Sequence, residues 1–295
     1  MNRLLTVIRW IIRQPLNRGN KQKALKRFLQ WQLNVRINPY PIILPWVNGV
    51  KLIVKRGMTG ATGNLYAGLH DFEDMSFLLH LLRDEDMFMD IGSNIGSYTI
   101  LASGAIRCRS IAIEPIPSTY EHLKNNIAVN RMEDRVEALN IGLGSKHSTL
   151  LFTNTQDTVN HVAVDGEKDT TEVSVQTLDG ILKSCTCPLL IKIDVEGFET
   201  EVLLGGKNTL NNPDLKAVII ELNGSGARYG YKDADIHAMF ITAGFRPYAY
   251  EPFTRQLTEL NAYSDESNTI YIRDVDFVKN RIRVSDAFKV LGLEI

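Results

Sequence analysis

The sequence predicts an α/β protein whose doubly wound, mostly parallel sheet is covered by helices on both faces. Three observations predict this fold class. Short apolar runs bounded by charge recur between residues 87 and 273, segments with helical spacing separate them, and a glycine turn directly follows the first run. A chain of 295 residues with 44% hydrophobic content can bury the large core that such a sheet requires.

Positive charge is concentrated in the first 70 residues. They contain twelve Lys and Arg residues and no acid, because the first acidic residue is Asp71. Since the whole chain has 33 basic and 34 acidic residues, the remainder holds 21 basic against 34 acidic residues and carries a charge of −13. This asymmetry predicts a basic segment with its own surface preference, attached to an acidic domain.

Two amphipathic helices are predicted in this segment, at Asn2–Arg13 and Lys21–Leu33. In each, large apolar side chains recur at helical spacing on one face, and Lys or Arg side chains lie opposite. Such helices suit peripheral attachment to an anionic membrane through residues 1–36. The alternative is that they pack on their own domain with solvated arginines outside. Neither stretch reaches the roughly 18–20 apolar residues that span a bilayer.

A connection leads from these helices to the sheet. Prolines over 38–45 predict an extended segment, Val50–Val54 predicts a short accessory strand, and four glycines over 57–68 predict a loop. Asp71–Leu82 has helical spacing and predicts the helix before the first core strand. The predicted organisation is a basic helical segment over 1–70, the α/β domain over 71–274 and a helical tail over 275–295.

The stretch Met87–Leu101, MFMDIGSNIGSYTIL, predicts a buried strand, a turn and the start of a helix. Its pattern, Asp90-x-Gly92-x-Asn94-x-Gly96, differs from both the G-x-G-x-x-G dinucleotide fingerprint and the phosphate-binding P-loop. An acid before the glycines repels a pyrophosphate but suits a ligand with a cationic amino group, such as S-adenosylmethionine. The alternative is a turn whose glycines serve packing only.

Strands and helices then alternate as far as residue 273. Further core strands are predicted at Ser110–Glu114, Arg135–Gly142, Leu189–Asp194 and Ala217–Asn223. Helices are predicted at Ser97–Ser103, Ser118–Asn130, Leu178–Ser184 and Ile236–Ala243, with another reaching Leu204. Two strands, Leu150–Phe152 and Thr171–Gln176, flank a polar insertion over Thr153–Thr170. A closing antiparallel pair is predicted from Phe245–Tyr250 and Thr269–Arg273.

Polar residues end several of these predicted strands. In a doubly wound sheet the strand ends meet in one crevice, where ligands bind. Glu114 follows Asp90 by 24 residues, near the offset at which a carboxylate accepts hydrogen bonds from ribose hydroxyls. Asn140 is predicted to flank an adenine, and Asp194 is predicted to lie beneath the reacting end of the ligand. Glu221 ends the neighbouring strand.

Four segments carry a resemblance to a known family: DIGSNIGSYT, IEPIPSTYEHLKNNIAVN, TLDGI and LLIKIDVEGFETEVLLGG. They resemble the FkbM family of S-adenosylmethionine-dependent methyltransferases, and the likeness runs from about Glu73 to Arg273. The resemblance implies a class I methyltransferase (Rossmann-like) fold with a seven-stranded sheet that ends in an antiparallel hairpin. It also implies O-methylation of a hydroxyl on a sugar, glycolipid or natural product.

The resemblance further implies which residues bind S-adenosylmethionine. The first motif places cofactor contacts at Asp90, Gly92, Ser93, Asn94 and Gly96, with Glu114 as the ribose acid. Asn140 and Asp194 complete the predicted set. The later motif covers Lys192, Asp194, Glu196, Gly197 and Glu199.

Methyl transfer to a hydroxyl calls for a general base, since the acceptor loses a proton as the new bond forms. Asp194 is the first candidate because it ends a core strand beside the expected methyl group. His161 is the second, because the insertion that contains it can fold over the acceptor, and Glu221 is the third. The sequence has no His, Asp and Glu cluster with metal-ligand spacing, so no metal is predicted.

The predicted acceptor is a small molecule or a glycan, and two other functions stay open. One is N-methylation by the same fold. Nucleic acid is not predicted as a partner, because Asp194-Val195-Glu196-Gly197 stands where enzymes acting on nucleic acid often carry an Asn/Asp-Pro-Pro-Tyr/Phe signature. The other is a non-catalytic adaptor that binds a membrane or partner through the basic segment.

The location of the protein is predicted from its cysteines. Cys108, Cys185 and Cys187 form no even disulfide framework, which predicts reduced thiols in a cytoplasmic protein. If the basic helices bind lipid, the protein is peripheral on the inner face of the membrane. No pattern in the sequence predicts an oligomeric state.

Overall fold

The computed structural model describes residues 3–264 and 268–295. Its strands are, in chain order, β1 (Ile42–Pro45), β2 (Lys51–Val54), β3 (Met87–Ile91), β4 (Arg109–Ile113), β5 (Val136–Leu139), β6 (Gly142–Leu143), β7 (Ser148–Thr153), β8 (Thr170–Gln176), β9 (Leu190–Ile193), β10 (Ala217–Ile220), β11 (Arg246–Glu251), β12 (Gln256–Glu259), β13 (Thr269–Ile272), β14 (Lys289–Val290) and β15 (Leu293–Glu294).

The helices are, in the same order, α1 (Arg3–Arg13), α2 (Lys21–Ile37), α3 (Thr59–Ala67), α4 (Phe72–Leu81), α5 (Ser97–Ile100), α6 (Pro117–Asn130), α7 (Leu178–Leu182), α8 (Glu199–Leu204), α9 (Lys207–Asn211), α10 (Asp233–Thr242) and α11 (Val275–Arg283). Helix α5 continues as a π-helical turn over Leu101–Ile106. Asn2, the predicted first residue of the first helix, lies outside the described residues.

The central sheet has the strand order β12-β11-β13-β10-β9-β3-β4-β5. Strands β10, β9, β3, β4 and β5 are parallel, and β13, β11 and β12 pair antiparallel at one end. The chain runs outward from β3 through β4 to β5 in one direction, and from β9 to β10 in the other. The order therefore reverses between β3 and β9, which makes their carboxyl ends the expected ligand crevice.

The fold class predicted from the sequence is confirmed, with one strand more than the seven expected. The extra strand, β12, pairs with β11 at the edge of the sheet. Its sequence, QLTE, is polar and mostly exposed, so hydrophobic spacing gives no signal for it.

Alternation along the core strands divides the interior into two layers. Phe88, Leu190 and Ile219 belong to one hydrophobic cluster. Met89 and Ile191 belong to a second cluster on the other face of the sheet. Because successive side chains of a strand point to opposite faces, both faces of the sheet must be covered by other elements.

The N-terminal helices form part of the first of these clusters. Ile11, Ala24, Phe28 and Trp31 are buried in the same cluster as Phe88 of β3. The C-terminal tail joins it as well, with Val278, Ile282, Phe288, Val290 and Ile295. The predicted boundaries at residues 70 and 274 stay predictions about domain organisation, but the hydrophobic core continues across both.

Several local predictions differ from the structure. The glycine-rich segment 57–68, predicted as a loop, contains helix α3. The tail is helical only over α11 and ends in the β14–β15 hairpin. Helix α6 begins with Pro117 at its first position, without a side-chain cap from Ser118 or Thr119. The strand predicted at Arg135–Gly142 ends at Leu139, after which β6 joins β8 and β7 in a separate three-stranded sheet.

Within residues 3–264 and 268–295, none of the helices combines the length and apolar character that a bilayer span needs.

Candidate functional site

A cavity of about 340 Å³ opens at the carboxyl ends of β3, β4, β9 and β10. Its floor is the glycine turn after β3, and helix α3 contributes Thr59, Gly60 and Asn64 to one wall. The polar insertion between β7 and β8 contributes another wall through residues 158–160. The insertion therefore borders the cavity, and its predicted position over an acceptor stays a prediction.

The turn after β3 approaches the end of β9 so closely that only glycine fits. A Cβ built on Gly92 would lie 1.8 Å from the backbone oxygen of Asp194, and the residue has φ +76°. Its N–H and that of Ser93 both donate to the carbonyl of Ile113, at 3.0 and 2.9 Å. The turn thus joins β3, β4 and β9 at the crevice and presents backbone to a ligand.

Glu114 ends β4 with a carboxylate that is buried yet lines the cavity. Its oxygens accept hydrogen bonds from the backbone N–H groups of Asn94 and Ile116, each at 2.9 Å. Burial raises its pKa to about 7, and the two N–H donors oppose that shift. A carboxylate held in this way has lone pairs left for two further donors, which is what a ribose diol supplies.

Asp90 lies behind the turn and is absent from the residues that line the cavity. One carboxylate oxygen accepts from the backbone N–H and the hydroxyl of Thr99, at 3.1 and 2.6 Å, while the other has no protein partner. Burial raises the pKa of Asp90. These contacts favour a role in holding α5 against β3, and the predicted contact with the cofactor stays a prediction.

Lys192 and Asp194 form an ion pair at the end of β9. The ammonium lies 2.8 Å from the carboxylate and 4.9 Å from the centre of the Tyr98 ring. Burial alone would lower the pKa of Lys192, but the charges of Asp194 and Asp90 raise it. Lys192 therefore stays charged inside the protein and pairs with Asp194.

The Asp194 carboxylate of this pair lies close to two further carboxylates. Oxygens of Asp194, Glu196 and Glu221 lie within 4.8 Å of one another. Burial, together with the charge of Asp194, raises the pKa of Glu196 to about 7 and that of Glu221 to about 8. Such a trio can accept protons near neutral pH or hold a cation. The predicted absence of a metal therefore stays a prediction.

Glu199 has a structural explanation that the sequence left open. Its carboxylate accepts from the N–H groups of Val195 and Gly197, both at 3.2 Å, at the start of α8. These bonds fix the turn that carries Glu196, which adopts φ +54°. An acid at a helix N-terminus also complements the helix dipole.

His70 and Asp71 are the site residues that the sequence reasoning missed. The Nδ1 atom of His70 lies 3.1 Å from an oxygen of Asp71, and the Tyr98 hydroxyl donates to the other oxygen at 3.0 Å. This pairing with Asp71 raises the pKa of His70. A Cβ on Gly63 would lie 2.2 Å from the imidazole, so α3 makes room for the ring. The adjacent His-Asp pair at the start of α4 is the signal that could have revealed it.

Four of the predicted residues lie outside the cavity lining: Asp90, Gly96, Asn140 and His161. Asn140 donates to the carbonyls of Glu114 and Pro115 at 2.8 and 2.9 Å, so it braces the end of β4. His161 is buried, with Nδ1 2.9 Å from the Val159 carbonyl and Nε2 3.1 Å from the Glu167 carboxylate. Both ring nitrogens are thus engaged in shaping the insertion, and its predicted role as a base stays a prediction.

Comparison with known proteins identifies a family whose model matches this chain. Residues 90–247, more than half of the chain, match the family model described as Methyltransferase FkbM domain. The hexuronic acid methyltransferase AglP of Haloferax volcanii is 31% identical over 153 residues, which cover 50% of this chain and 59% of AglP. The match therefore spans less than two thirds of that relative.

Two solved structures are similar at low identity. The precorrin-6y C5,15-methyltransferase of Geobacter metallireducens has a TM-score of 0.40 and 13% identity, covering 69% of this chain and 88% of that chain. The precorrin-8w decarboxylase of Methanobacterium thermoautotrophicum has a TM-score of 0.41 and 13% identity, covering 69% of this chain and 90% of that chain. The fold class follows from the strand order of the central sheet.

Proposed function

The chain belongs to the FkbM family of methyltransferases, and on that premise we propose that it moves the methyl group of S-adenosylmethionine to a hydroxyl oxygen of a sugar. The observation that carries the proposal is that one cavity holds the glycine turn, the predicted ribose acid Glu114 and a carboxylate of raised pKa, Glu221.

The residues around the cavity suit this cofactor. Glu114 would accept from the ribose hydroxyls, and the backbone at Gly92 and Ser93 leaves room for the ligand to lie against the turn. The carboxylates of Asp194, Glu196 and Glu221 place negative charge where a sulfonium and an ammonium are favoured.

Bound S-adenosylmethionine supplies a methyl group on a positively charged sulfur, which an acceptor oxygen can attack. The protein contributes the orientation of the acceptor, the exclusion of water and the removal of the hydroxyl proton. Orientation alone accounts for up to about 7–11 kcal/mol of barrier lowering in well-aligned systems. The insertion wall at residues 158–160 is placed to exclude water.

Glu221 is the strongest candidate for the general base. Its pKa of about 8 lies near neutral pH, where a base combines availability with proton affinity. Asp194, the first candidate from the sequence, is paired with Lys192 at 2.8 Å, so its carboxylate is already engaged by a cation. The proton of the acceptor hydroxyl would pass to the Glu221 carboxylate as the carbon–oxygen bond forms.

We propose that the acceptor of this chain is a sugar acid. AglP, which shares 31% identity over part of its length, is described as a hexuronic acid methyltransferase. His70 lines the cavity, and its hydrogen bond to Asp71 raises its pKa, which favours the protonated imidazole that would pair with a sugar carboxylate. A neutral sugar has no carboxylate that would pair with the protonated His70.

The experiment is a methyl-transfer assay with tritiated S-adenosylmethionine and two matched acceptors, glucuronic acid and glucose glycosides. The wild type should label the uronic acid preferentially, and Glu221→Gln should lower kcat by about 10²–10⁴-fold without losing cofactor binding in calorimetry. Glu137→Gln, an exposed glutamate on β5, is the control and should match the wild type.

His70→Gln should raise KM for the uronic acid and leave KM for the neutral sugar unchanged. Label that enters amines alone, or full activity in Glu221→Gln, would contradict the proposal. Cofactor binding without transfer to any acceptor would favour the adaptor function instead.

A further inference from the structure

We propose that helix α2, supported by α1, is a docking surface for an anionic lipid bilayer. The proposal concerns the exposed side of α2, called here the docking face, which consists of Lys26, Leu29, Leu33, Arg36 and Ile37. It does not depend on the methyl-transfer function.

The two sides of α2 differ sharply. Ala24, Phe28 and Trp31 are buried in the main hydrophobic cluster, so one side is fixed to the domain. On the other side, Leu29 is 59% exposed, Leu33 is 58% exposed and Ile37 is 82% exposed. These three side chains are spaced by four residues and therefore form one stripe along the helix.

The apolar exposure continues past both ends of this stripe in the chain. Leu4 and Leu5 of α1 are 51% and 48% exposed, and Tyr40 and Ile43 after α2 are 75% and 55% exposed. Isolated exposed apolar residues are ordinary, but a concentration of them within one 40-residue segment indicates an interaction surface.

Positive charge accompanies these apolar side chains. The first 70 residues hold twelve Lys and Arg and no acid. Lys23 and Lys26 are exposed, and neither takes part in an ion pair of the described residues. Arg36 donates to the Gln32 carbonyl of its own helix at 2.8 Å.

Apolar side chains interleaved with cations match the chemistry of a membrane interface. Leucine and isoleucine enter the acyl boundary while Lys and Arg remain at anionic headgroups. Two copies of this surface would instead bring like charges together. A nucleic acid would satisfy the cations but would leave the leucines in water.

Hydrogen bonds connect α2 and the turn before it to the helix that lines the cavity. Arg27 and Asn17 both donate to the carbonyl of Tyr66 in α3, at 2.7 and 3.0 Å, and Gln32 bonds the Tyr66 hydroxyl at 3.1 Å. Helix α3 lines the cavity through Thr59 and Asn64.

The test is flotation of the full chain with vesicles of phosphatidylglycerol and of phosphatidylcholine, without cofactor or acceptor. We expect binding to phosphatidylglycerol vesicles that weakens as salt is added, and little binding to phosphatidylcholine. Because no methyl transfer is involved, this result stands or falls separately from the enzymatic proposal.

Two pairs of substitutions test the two parts of the surface. Leu29→Ser with Leu33→Ser should weaken vesicle binding about tenfold or more. Its matched control is Leu151→Ser combined with Leu293→Ser, two leucines outside the docking face that are 48% and 42% exposed. The control should leave vesicle binding within about twofold of the wild type. Lys23→Gln combined with Lys26→Gln should weaken vesicle binding about 30-fold. The matched control, Lys183→Gln combined with Lys207→Gln, should leave vesicle binding unchanged.

Thermal melting of each variant verifies that the fold is intact. Failure of the wild type to float with phosphatidylglycerol would overturn the proposal, as would equal binding by the Leu29/Leu33 variant and its control. A lipid-free dimer that Leu33→Ser dissociates would identify a second copy as the occupant, and salt-sensitive binding to duplex DNA alone would identify a nucleic acid. Either result would also overturn it.

Discussion

Glu114 shows how one side chain can be recognised from spacing and then explained by its surroundings. Its distance from Asp90 in the sequence predicted a ribose acid, and the structure places its carboxylate on the cavity with two backbone donors fixing it. In the absence of a ligand, burial raises the pKa of the Glu114 carboxyl group to about 7. Hydrogen bonds from a ribose would favour the charged form and lower that pKa.

Replacing this carboxylate should weaken cofactor binding. Glu114→Gln keeps an oxygen for the Asn94 N–H but removes the charge, and hydrogen bonds to charged groups contribute about 1.5–3 kcal/mol. Calorimetric titration should show about 10–100-fold lower affinity for S-adenosylmethionine. Glu121→Gln, on the exposed surface of α6, is the control. Equal affinities for Glu114→Gln and wild type would refute the ribose assignment.

The pH dependence of turnover should report on Glu221. Its pKa of about 8 means that the carboxylate form needed for proton removal becomes dominant only above that pH. The value of kcat should therefore rise with pH up to about 8 and then level off. In Glu221→Gln this rising limb should disappear from the residual rate, and an unchanged profile would assign the limb to another group, such as His70.

At the scale of elements, the turn between β3 and α5 depends on a contact that the sequence hardly reveals. The glycines predicted a turn, but only the structure shows that Gly92 lies against the carbonyl of Asp194, 102 residues later in the chain. Gly63, which lies in α3, has a similar role, because the absence of a Cβ there leaves room for the His70 ring. Gly63 and Gly68 meet such contacts, whereas Gly57 and Gly60 have nothing within 4 Å of a built Cβ, and the four glycines together made segment 57–68 resemble a loop.

Gly92→Ala should therefore be far more damaging than an alanine at another left-handed glycine. Gly244 has φ +88° and nothing within 4 Å of a built Cβ, so Gly244→Ala experiences the backbone strain alone, about 1 kcal/mol. Gly92→Ala adds a clash with the backbone of β9 and should cost several times as much in urea unfolding. Similar losses for the two variants would mean that the turn can relax, which contradicts the close approach.

The sequence predicted the core strands because each is an apolar run of the right length, and it predicted the strand-end acids because topology brings those ends together. It could not predict β12, whose residues are polar, or the engagement of His161 by Glu167 and Val159. It also missed the His70–Asp71 pair, because the residues that complete it, Tyr98 and Gly63, come from other elements.

At the scale of the whole molecule, the basic N-terminal segment is both core and surface. Phe28 is 5% exposed within the main cluster, and the next residue, Leu29, is 59% exposed. The sequence offered packing on the domain and membrane contact as alternatives for this segment. Two sides of one helix can serve both, so deletion of residues 1–36 would remove core packing together with any docking face.

Adjacent substitutions separate the two roles. Phe28→Ala removes a buried ring and should lower the free energy of unfolding by about 3–5 kcal/mol. Leu29→Ala changes an exposed side chain and should lie within about 0.5 kcal/mol of the wild type. Urea unfolding measures both, and a small loss for Phe28→Ala would show that the N-terminal helices are only loosely attached to the domain.

The most direct measurement of the central claim is a crystal structure of the protein with S-adenosylhomocysteine. We predict that the ribose hydroxyls lie within hydrogen-bond distance of the Glu114 carboxylate, that the ligand crosses the turn at Gly92, and that its sulfur faces Asp194 and Glu221. A ligand bound elsewhere, or a cavity in which side chains occupy that path, would contradict the assignment of this crevice as the place where the methyl group is transferred.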